Sequence, residues 1–175
     1  MRKNTLLLIL FLFSATYKVF CIPADSLVIQ ENTLGVCTMN GIVENSAAGY
    51  TGAGYVNVDN GLNIGMSWTF NVPVTDAYKM LWRLALGGSD TTSRNAGLYV
   101  NNVLMDTVIF KHTGSSSWAV WKTTDTAVMN LNSGHNTIRL GSITTKGLAN
   151  MDYFAIYGSG IIMAGCTPSY TFTAE

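Results

Sequence analysis

AAGYTGAGYVNVDNGLNIGMSWTFNV, residues 47–72, decides the fold of this chain. Its second half alternates between polar residues and the apolar residues Met66, Trp68, Phe70 and Val72. This alternation predicts a half-buried strand of an antiparallel sheet, because successive side chains of a strand point to opposite faces. The first half is a loop rich in Gly, Tyr and Asn. Aromatic rings and amides without catalytic pairs favour binding of a polyhydroxylated ligand over bond cleavage.

Similar short runs recur along the chain, separated by polar turns, and helical patterning is nearly absent. We predict strands over 27–31, 54–59, 65–72, 77–86, 96–101, 103–110, 118–129, 136–142 and 151–158. Many short strands with polar turns predict an all-β fold, a β-sandwich jelly roll of two antiparallel sheets. We expect the apolar segment after Gly158 to fold back onto the sandwich as far as Cys166, and the chain beyond it to fray.

The first 21 residues have the pattern of a secretory signal peptide. The basic start MRKN precedes the apolar run LLLILFLF, which is shorter than the roughly 20 residues of a transmembrane helix. An uncleaved membrane anchor is the alternative. We therefore predict a signal peptide over 1–21, one domain over 22–166 and a tail over 167–175. The protein is then secreted, extracellular and free of the membrane once the signal is removed.

The charge of the mature chain argues against nucleic-acid binding. Cleavage removes Arg2, Lys3 and Lys18, which leaves 7 basic and 10 acidic residues and a net charge of −3. Without a basic stripe, the electrostatic driving force for nucleic-acid binding is missing. The net charge does not argue against binding of acidic polymers, because one well-placed Arg can pair with a carboxylate.

Two cysteines, Cys37 and Cys166, remain after cleavage. An even pair in a secreted chain favours a disulfide, with two unpaired thiols as the alternative. The bond would close a loop of about 130 residues and contribute about 4–5 kcal/mol in the chain-entropy model.

The sequence shows no recognisable catalytic constellation. His112 and His135 fall in or beside predicted turns, and G-x-S-x-G, H-E-x-x-H and Cys/His zinc spacings are all missing. No pair of acidic residues is marked out for glycoside hydrolysis. We predict that the protein is not an enzyme. The alternatives are a small polysaccharide lyase or hydrolase with an acid–base pair formed by folding, and a structural or adhesive surface protein.

The residues suited to saccharide binding lie mainly in predicted loops. Sugar rings stack on aromatic side chains, and their hydroxyls bond to amides and charged groups. The candidates are Tyr50, Tyr55, Arg94, Asn95, Trp118 and Asn150. Tyr55 and another aromatic, Trp121, lie in strand-like segments, where a place in the core is the commoner role.

Two acidic residues, Glu31 and Asp152, lie in the first and last predicted strands. A carboxylate within an apolar strand is costly unless it is paired or bound to a cation. Oxygen ligands of this kind suit Ca²⁺, and two solvated acids at a sheet edge are the alternative.

An ordered series of short motifs resembles a known family. It comprises IQEN at 29–32, GYTGAGY at 49–55, WRLA at 82–85, the Trp118/Trp121 pair, NTIRL at 136–140 and GLANMDY at 147–153. This series resembles the carbohydrate-binding modules of families 6 and 35 over about residues 27–158. With the two cysteines, it is most similar to the modules attached to bacterial pectate lyases.

The resemblance implies a jelly roll whose loops bind plant-wall polysaccharide, such as pectin or other uronic-acid glycans. It implies stacking on Trp118 and polar contacts from Arg94 and Asn150. The loop tyrosine of the family matches Tyr50 or Tyr55. A structural calcium ion would join Glu31 to Asp152, although Ile29 stands where many members have another glutamate. No catalytic domain follows, so we expect one to act in trans or to have been lost by truncation.

Overall fold

The computed structural model describes residues 25–166, so the predicted signal peptide and the tail 167–175 lie outside it. The described chain contains thirteen β-strands and no helix, and hence none able to cross a membrane. The strands are β1 (Ser26–Gln30), β2 (Val36–Met39), β3 (Gly41–Glu44), β4 (Tyr55–Val58), β5 (Gly65–Val72), β6 (Asp76–Ala85), β7 (Arg94–Val100), β8 (Val103–Phe110), β9 (Lys122–Thr123), β10 (Ala127–Leu131), β11 (Gly134–Ser142), β12 (Asn150–Tyr157) and β13 (Ile162–Met163).

Two antiparallel sheets form the predicted jelly-roll sandwich. The seven-stranded sheet has the order β10-β6-β12-β4-β3, with β1 also paired to β12 and β9 to β6. The six-stranded sheet has the order β13-β5-β11-β7-β8, with β2 also paired to β5. Neighbours in space are mostly distant in sequence, so the pairing is set by long-range contacts.

The core between the sheets is centred on the ring of Phe154. Its centroid lies 5.3 Å from that of Trp68, 5.5 Å from that of Trp82 and 5.8 Å from that of Phe70. Trp68 and Phe70 come from the six-stranded sheet, and Trp82 and Phe154 come from the seven-stranded sheet. The alternation seen in the sequence therefore does place large apolar side chains on facing inner surfaces.

Strand prediction was accurate where alternation is long and failed where strands are short. β5 and β8 have the predicted bounds, and most other strands shift by one or two residues. The predicted strand 118–129 is wrong, because this segment is a loop that contains only β9 and the start of β10. β2, β3 and β13 were not predicted, since two to four residues are too few to show a period.

β5 is buried on both faces, which corrects the expectation of a half-buried strand. Ser67 and Thr69 are polar yet 5% and 2% exposed. The Ser67 hydroxyl lies 2.7 Å from that of Thr38, and the Thr69 hydroxyl donates to the Ala164 carbonyl. The chain near both cysteines therefore covers the outer face of the strand.

The segment after Gly158 folds back onto the sandwich as expected. β13 pairs with β5, and a disulfide joins Cys37 to Cys166, whose Cα atoms lie 5.3 Å apart. The bond links segments separated by 129 residues. It closes the edge of the six-stranded sheet beside β5.

A β-bulge in β12 turns Asp152 away from the core. Met151 pairs with Leu84 and Tyr153 pairs with Arg83, so Asp152 is the extra residue on its strand. Because of this insertion, Met151 and Phe154 can both lie in the core. A bulge commonly re-aims one side chain, and here it aims a carboxylate at the loop that precedes β4.

Candidate functional site

A cavity of about 360 Å³ lies where β3, β4, β7 and β12 meet the loop that carries Trp118. Its lining is mixed, with aromatic rings, amides and one charge of each sign. The lining residues are Glu44, Ser46, Ala47, Tyr55, Asn57, Val58, Asn60, Arg94, Trp118 and Asn150. Four of the six predicted binding residues, Tyr55, Arg94, Trp118 and Asn150, are therefore brought together here.

Trp118 and Arg94 make one wall of the cavity. The Arg94 guanidinium carbon lies 5.7 Å from the centre of the Trp118 ring, and its Nη1 donates to the Leu148 carbonyl at 2.6 Å. Trp118 is half-buried, so part of its ring faces solvent. Burial lowers the pKa of Arg94, although an arginine stays charged at any physiological pH. The wall thus offers an aromatic surface beside a fixed positive charge.

Glu44, Tyr55 and Asn57 make the opposite polar side. Glu44 and Tyr55 face each other across the β3–β4 ladder. The Tyr55 hydroxyl donates to Glu44 Oε2 at 2.9 Å, and Asn57 Nδ2 donates to Oε1 at 3.1 Å. These two bonds fix the carboxylate as a hydrogen-bond acceptor in the cavity.

Tyr55 is 2% exposed, so its role in this site is mainly to hold other groups. Its ring packs 5.1 Å from that of Trp121 and 5.8 Å from that of Tyr50. Burial raises the pKa of Tyr55, which keeps its hydroxyl protonated and able to donate to Glu44.

Two predicted residues do not line the cavity. Tyr50 packs beside Tyr55 from the preceding loop. Asn95 follows Arg94 in β7, and its side-chain oxygen is buried without a hydrogen-bond partner among residues 25–166. Neighbours in a strand point to opposite faces, which is why Arg94 reaches the cavity and Asn95 does not.

Glu44, Asn57 and Asn60 were missed by the sequence analysis. Glu44 ends β3, which is too short to be recognised. Asn57 carried a usable signal, because it is the polar residue between the core positions Val56 and Val58 in an otherwise apolar strand. Its side chain had to point out of the core, on the same side as Tyr55.

Hydrogen bonds to three side chains, rather than regular structure, hold the loop that supplies Ser46 and Ala47. Arg83 Nη2 donates to the Gly49 carbonyl at 3.0 Å, and the Trp121 indole donates to the Ala48 carbonyl at 2.9 Å. The backbone N–H of Thr51 donates to Asp152 Oδ1 at 2.9 Å. Trp121 is therefore a half-buried loop residue, and not a core strand residue.

Glu31 and Asp152 lie beneath the same loop, with 4% and 1% of their surface exposed. They are not solvated edge acids. Asp152 forms an ion pair with Arg83, whereas Glu31 accepts from the Ala53 N–H at 3.1 Å and has no basic partner in the described chain. Burial, with a smaller contribution from Asp152, raises the pKa of Glu31.

The oxygen atoms near Glu31 fit a hard cation. One terminal atom of the Gln30 amide lies 3.3 Å from Glu31 Oε2 and 3.2 Å from the Thr51 carbonyl oxygen. With the amide nitrogen in that place, it donates to both oxygens; with the amide oxygen there, three oxygens converge, as they do around Ca²⁺. Within residues 25–166, no group of three or more His, Cys, Asp or Glu side chains could hold a metal, so carbonyl and amide oxygens would complete the set.

No family model matches this chain. Among curated proteins, it is 27% identical over 140 residues to endo-1,4-beta-xylanase B of Cellvibrio japonicus, covering 80% of the chain and 23% of that enzyme. It is 38% identical over 131 residues to exo-beta-D-glucosaminidase of Amycolatopsis orientalis, covering 74% of the chain and 12% of that enzyme. The chain thus spans less than a quarter of the length of these relatives.

Solved structures of isolated modules match over nearly their whole length. A family 35 carbohydrate-binding module from an environmental isolate is 30% identical with a TM-score of 0.74, covering 81% of this chain and 99% of that one. The CBM35 of Cellvibrio japonicus Abf62 is 27% identical with a TM-score of 0.75, covering 82% of this chain and 100% of that module. Xyl-CBM35, in complex with a glucuronic acid containing disaccharide, is 27% identical with a TM-score of 0.73, covering 81% and 99%.

The fold is that of a carbohydrate-binding module. The chain belongs to family 35 of these modules. The predicted family resemblance is confirmed at this level. The finer likeness to modules of pectate lyases is not shown by these relatives and stays a prediction.

Proposed function

We propose that this chain is a secreted, non-catalytic module that binds plant-wall polysaccharide through an acidic sugar held in the Trp118 cavity. The main observation behind this proposal is the cavity wall formed by Trp118 and Arg94. The exposed part of the ring provides a surface for the C–H face of a sugar. The guanidinium beside it provides a cation for a sugar carboxylate.

The structure of Xyl-CBM35 supports an acidic ligand, because that relative was solved in complex with a disaccharide that contains glucuronic acid. Pectin, whose backbone is built from uronic acids, is the plant-wall polymer that we put first. Glu44 limits how such a sugar can bind, since two carboxylates side by side repel each other. The sugar carboxylate must therefore face Arg94, and its hydroxyls must face Glu44 and Asn57.

Titration calorimetry against a glucuronic-acid-containing disaccharide and a neutral disaccharide of the same size tests this function. Wild type should prefer the acidic ligand. Trp118→Ala should lose about 1–3 kcal/mol of binding free energy if its ring carries the stacking contact. Val128→Ala, an exposed apolar truncation on β10, should bind like wild type and serves as the control. Unchanged affinity of Trp118→Ala would remove that ring from the site.

We also propose that Ca²⁺ binds between Glu31 and Asp152. Glu31, the Gln30 amide and the Thr51 carbonyl would provide oxygen ligands, with Asp152 as the second carboxylate. A divalent ion would neutralise Glu31, which has no basic side-chain partner among residues 25–166. By fixing Thr51, it would hold the loop that carries Ser46 and Ala47 at the cavity.

Thermal unfolding in millimolar CaCl₂ and in EGTA tests the calcium proposal without any ligand. Calcium should raise the wild-type Tm, because a ligand that binds only the native state stabilises it. Glu31→Gln should lose that response, while Glu44→Gln should keep it. Equal Tm values for wild type in both buffers would contradict calcium binding.

The proposal of secretion depends on residues 1–21 and is supported by the disulfide, because such bonds persist in oxidising compartments. We further propose that the module serves a polysaccharide-degrading catalytic domain, either in a longer chain or in trans. The support is that the curated relatives are much longer enzymes that share only this region. The mass and N-terminal sequence of the exported protein, together with the DNA downstream of Glu175, test both points.

A further inference from the structure

The loop between β4 and β5 carries an asparagine–glycine pair at the edge of the cavity. Asn60 lines the cavity, and Gly61 follows it directly. In this dipeptide an asparagine loses its side-chain amide most readily, because glycine has no side chain to hinder attack by its own backbone nitrogen. The chain contains a second such pair, Asn40–Gly41, so the structure decides which of the two can react.

Asn60 and Gly61 are free to react. The Asn60 side chain is exposed, and within residues 25–166 neither that side chain nor the Gly61 N–H forms a hydrogen bond. The three atoms nearest to a Cβ built on Gly61 all belong to the side chain of Ile64, and none belongs to the backbone. The loop therefore leaves the attacking nitrogen unengaged and the amide carbon accessible.

Asn40 and Gly41 are held in place by their neighbours. Asn40 Oδ1 accepts from the Gly65 N–H at 3.1 Å, and the Asn40 carbonyl accepts from the Asp59 N–H at 3.0 Å. Gly41 pairs with Val58 in the β3–β4 ladder. Rotation of the Asn40 amide carbon onto the Gly41 nitrogen would break these contacts. The same dipeptide is thus reactive in one place and protected in the other.

We propose that Asn60 is a site of spontaneous deamidation, and that its conversion to a carboxylate lowers the affinity of the cavity for acidic sugars. The Gly61 nitrogen, after losing its proton to hydroxide, attacks Asn60 Cγ. The bond from Cγ to the amide nitrogen breaks, and ammonia leaves with a proton taken from water. Water then opens the succinimide ring at either carbonyl, which leaves aspartate or isoaspartate. The net reaction consumes water, releases ammonia and adds a negative charge.

The new carboxylate would lie close to the cation that we assign to the sugar acid. A Cβ on Gly147 would lie 2.9 Å from Asn60 Cα, and the next residue, Leu148, accepts from Arg94 through its carbonyl. Asn60 and Arg94 thus flank the same two residues, and both line the cavity. A carboxylate here competes with the sugar for Arg94 and repels the sugar carboxylate. This consequence rests on the proposed function for the charge of the ligand, whereas the deamidation itself does not.

Storage of the purified protein at alkaline pH, followed by peptide mapping with mass spectrometry and an isoaspartate assay, tests the chemistry. In the native protein, Asn60 should deamidate about tenfold faster than Asn40 or more, because Asn40 reacts only after local opening. In urea the two rates should become similar. Asn60→Gln should stay unmodified at this position, since glutamine would have to form a larger and less favourable ring. Equal rates at Asn40 and Asn60 in the native protein would overturn the proposal.

Calorimetry before and after storage tests the effect on binding. Stored wild type should bind the glucuronic-acid-containing disaccharide about tenfold more weakly than fresh wild type, and the neutral disaccharide should be affected less. Asn60→Asp should show this loss without storage, and Asn60→Gln should keep its own starting affinity throughout. Deamidated protein that binds the acidic disaccharide like fresh wild type would overturn the effect and leave the proposed function intact. Failure of fresh wild type to bind it would contradict both the proposed function and the predicted loss, while the peptide map still decides the deamidation.

Discussion

Arg83 and Asp152 form an ion pair across the seven-stranded sheet, at the β-bulge where β12 passes β6. The Asp152 side chain is fully buried, and that of Arg83 is 21% exposed. Arg83 also donates to the Gly49 carbonyl, and Asp152 also accepts from Thr51. The pair therefore connects the sheet to the loop that shapes the cavity.

Removal of Arg83 should be strongly destabilising. Arg83→Met leaves the Asp152 carboxylate buried without its counter-charge, and we expect a loss of about 3–5 kcal/mol in the free energy of unfolding. Urea denaturation measures it. The Arg83→Met/Asp152→Asn double variant should recover part of the loss, since it no longer contains a buried unpaired charge. If the double variant lost as much free energy of unfolding as Arg83→Met and Asp152→Asn lose together, the two residues would not be coupled.

Replacement of Arg94 should change ligand choice more than stability. We expect Arg94→Gln to weaken binding of the glucuronic-acid-containing disaccharide by about 1.5–3 kcal/mol, the usual range for a hydrogen bond to a charged group. Binding of a neutral disaccharide should fall less. Arg94→Lys keeps the charge but loses the planar fork, so its affinity for the acidic disaccharide should lie between those of wild type and Arg94→Gln. Equal losses for both ligands, measured by calorimetry, would show that Arg94 does not contact a carboxylate.

The disulfide should contribute much of the stability of the domain. Its loop of 129 residues is long, and the chain-entropy model gives about 5 kcal/mol for closing it. Cys37→Ser/Cys166→Ser should therefore unfold at clearly lower urea concentration than wild type. Dithiothreitol should destabilise wild type and leave this variant unaffected. An effect of the reductant on the variant would point to a cause other than this bond.

Asp90, in the loop between β6 and β7, makes a pH-dependent contribution to the stability of the native state. Hydrogen bonds from Lys146 and Thr92 hold the pKa of Asp90 well below its usual value of 3.8. A carboxyl with a lowered folded-state pKa stabilises the native state above 3.8, and this effect is lost as the pH falls through the folded-state pKa. Wild type should be more stable than Asp90→Asn at about pH 6, and the difference should shrink towards about pH 2.

Urea midpoints at several pH values measure the Asp90 effect. Lys146→Met removes the hydrogen bond that contributes most to the lowered pKa of Asp90. The acid sensitivity of this variant should therefore resemble that of Asp90→Asn. A constant difference between wild type and Asp90→Asn at all pH values would show that the Asp90 charge is not responsible.

The sequence pointed to three residues of the cavity through local pattern and family resemblance. Trp118 follows a run of serines, and Arg94 and Asn150 were expected in loops, although the structure places them at the first residues of β7 and β12. All three face the cavity. Glu44 gave no such signal, because β3 is a strand only through its pairing with β4. The predicted strand over 118–129 failed for the related reason that apolar residues there pack from a loop.

The sequence by itself determined the sandwich, since the alternation in β5, β6 and β11 can bury Trp68, Trp82 and Ile138 only between two sheets. It also singled out Cys37 and Cys166 as a pair. Only the tertiary structure decided that Asp152 is the extra residue of a bulge in β12 and that Glu44 meets Tyr55. The physical reason is that alternation fixes which face a residue occupies, whereas strand register between distant segments fixes its neighbours.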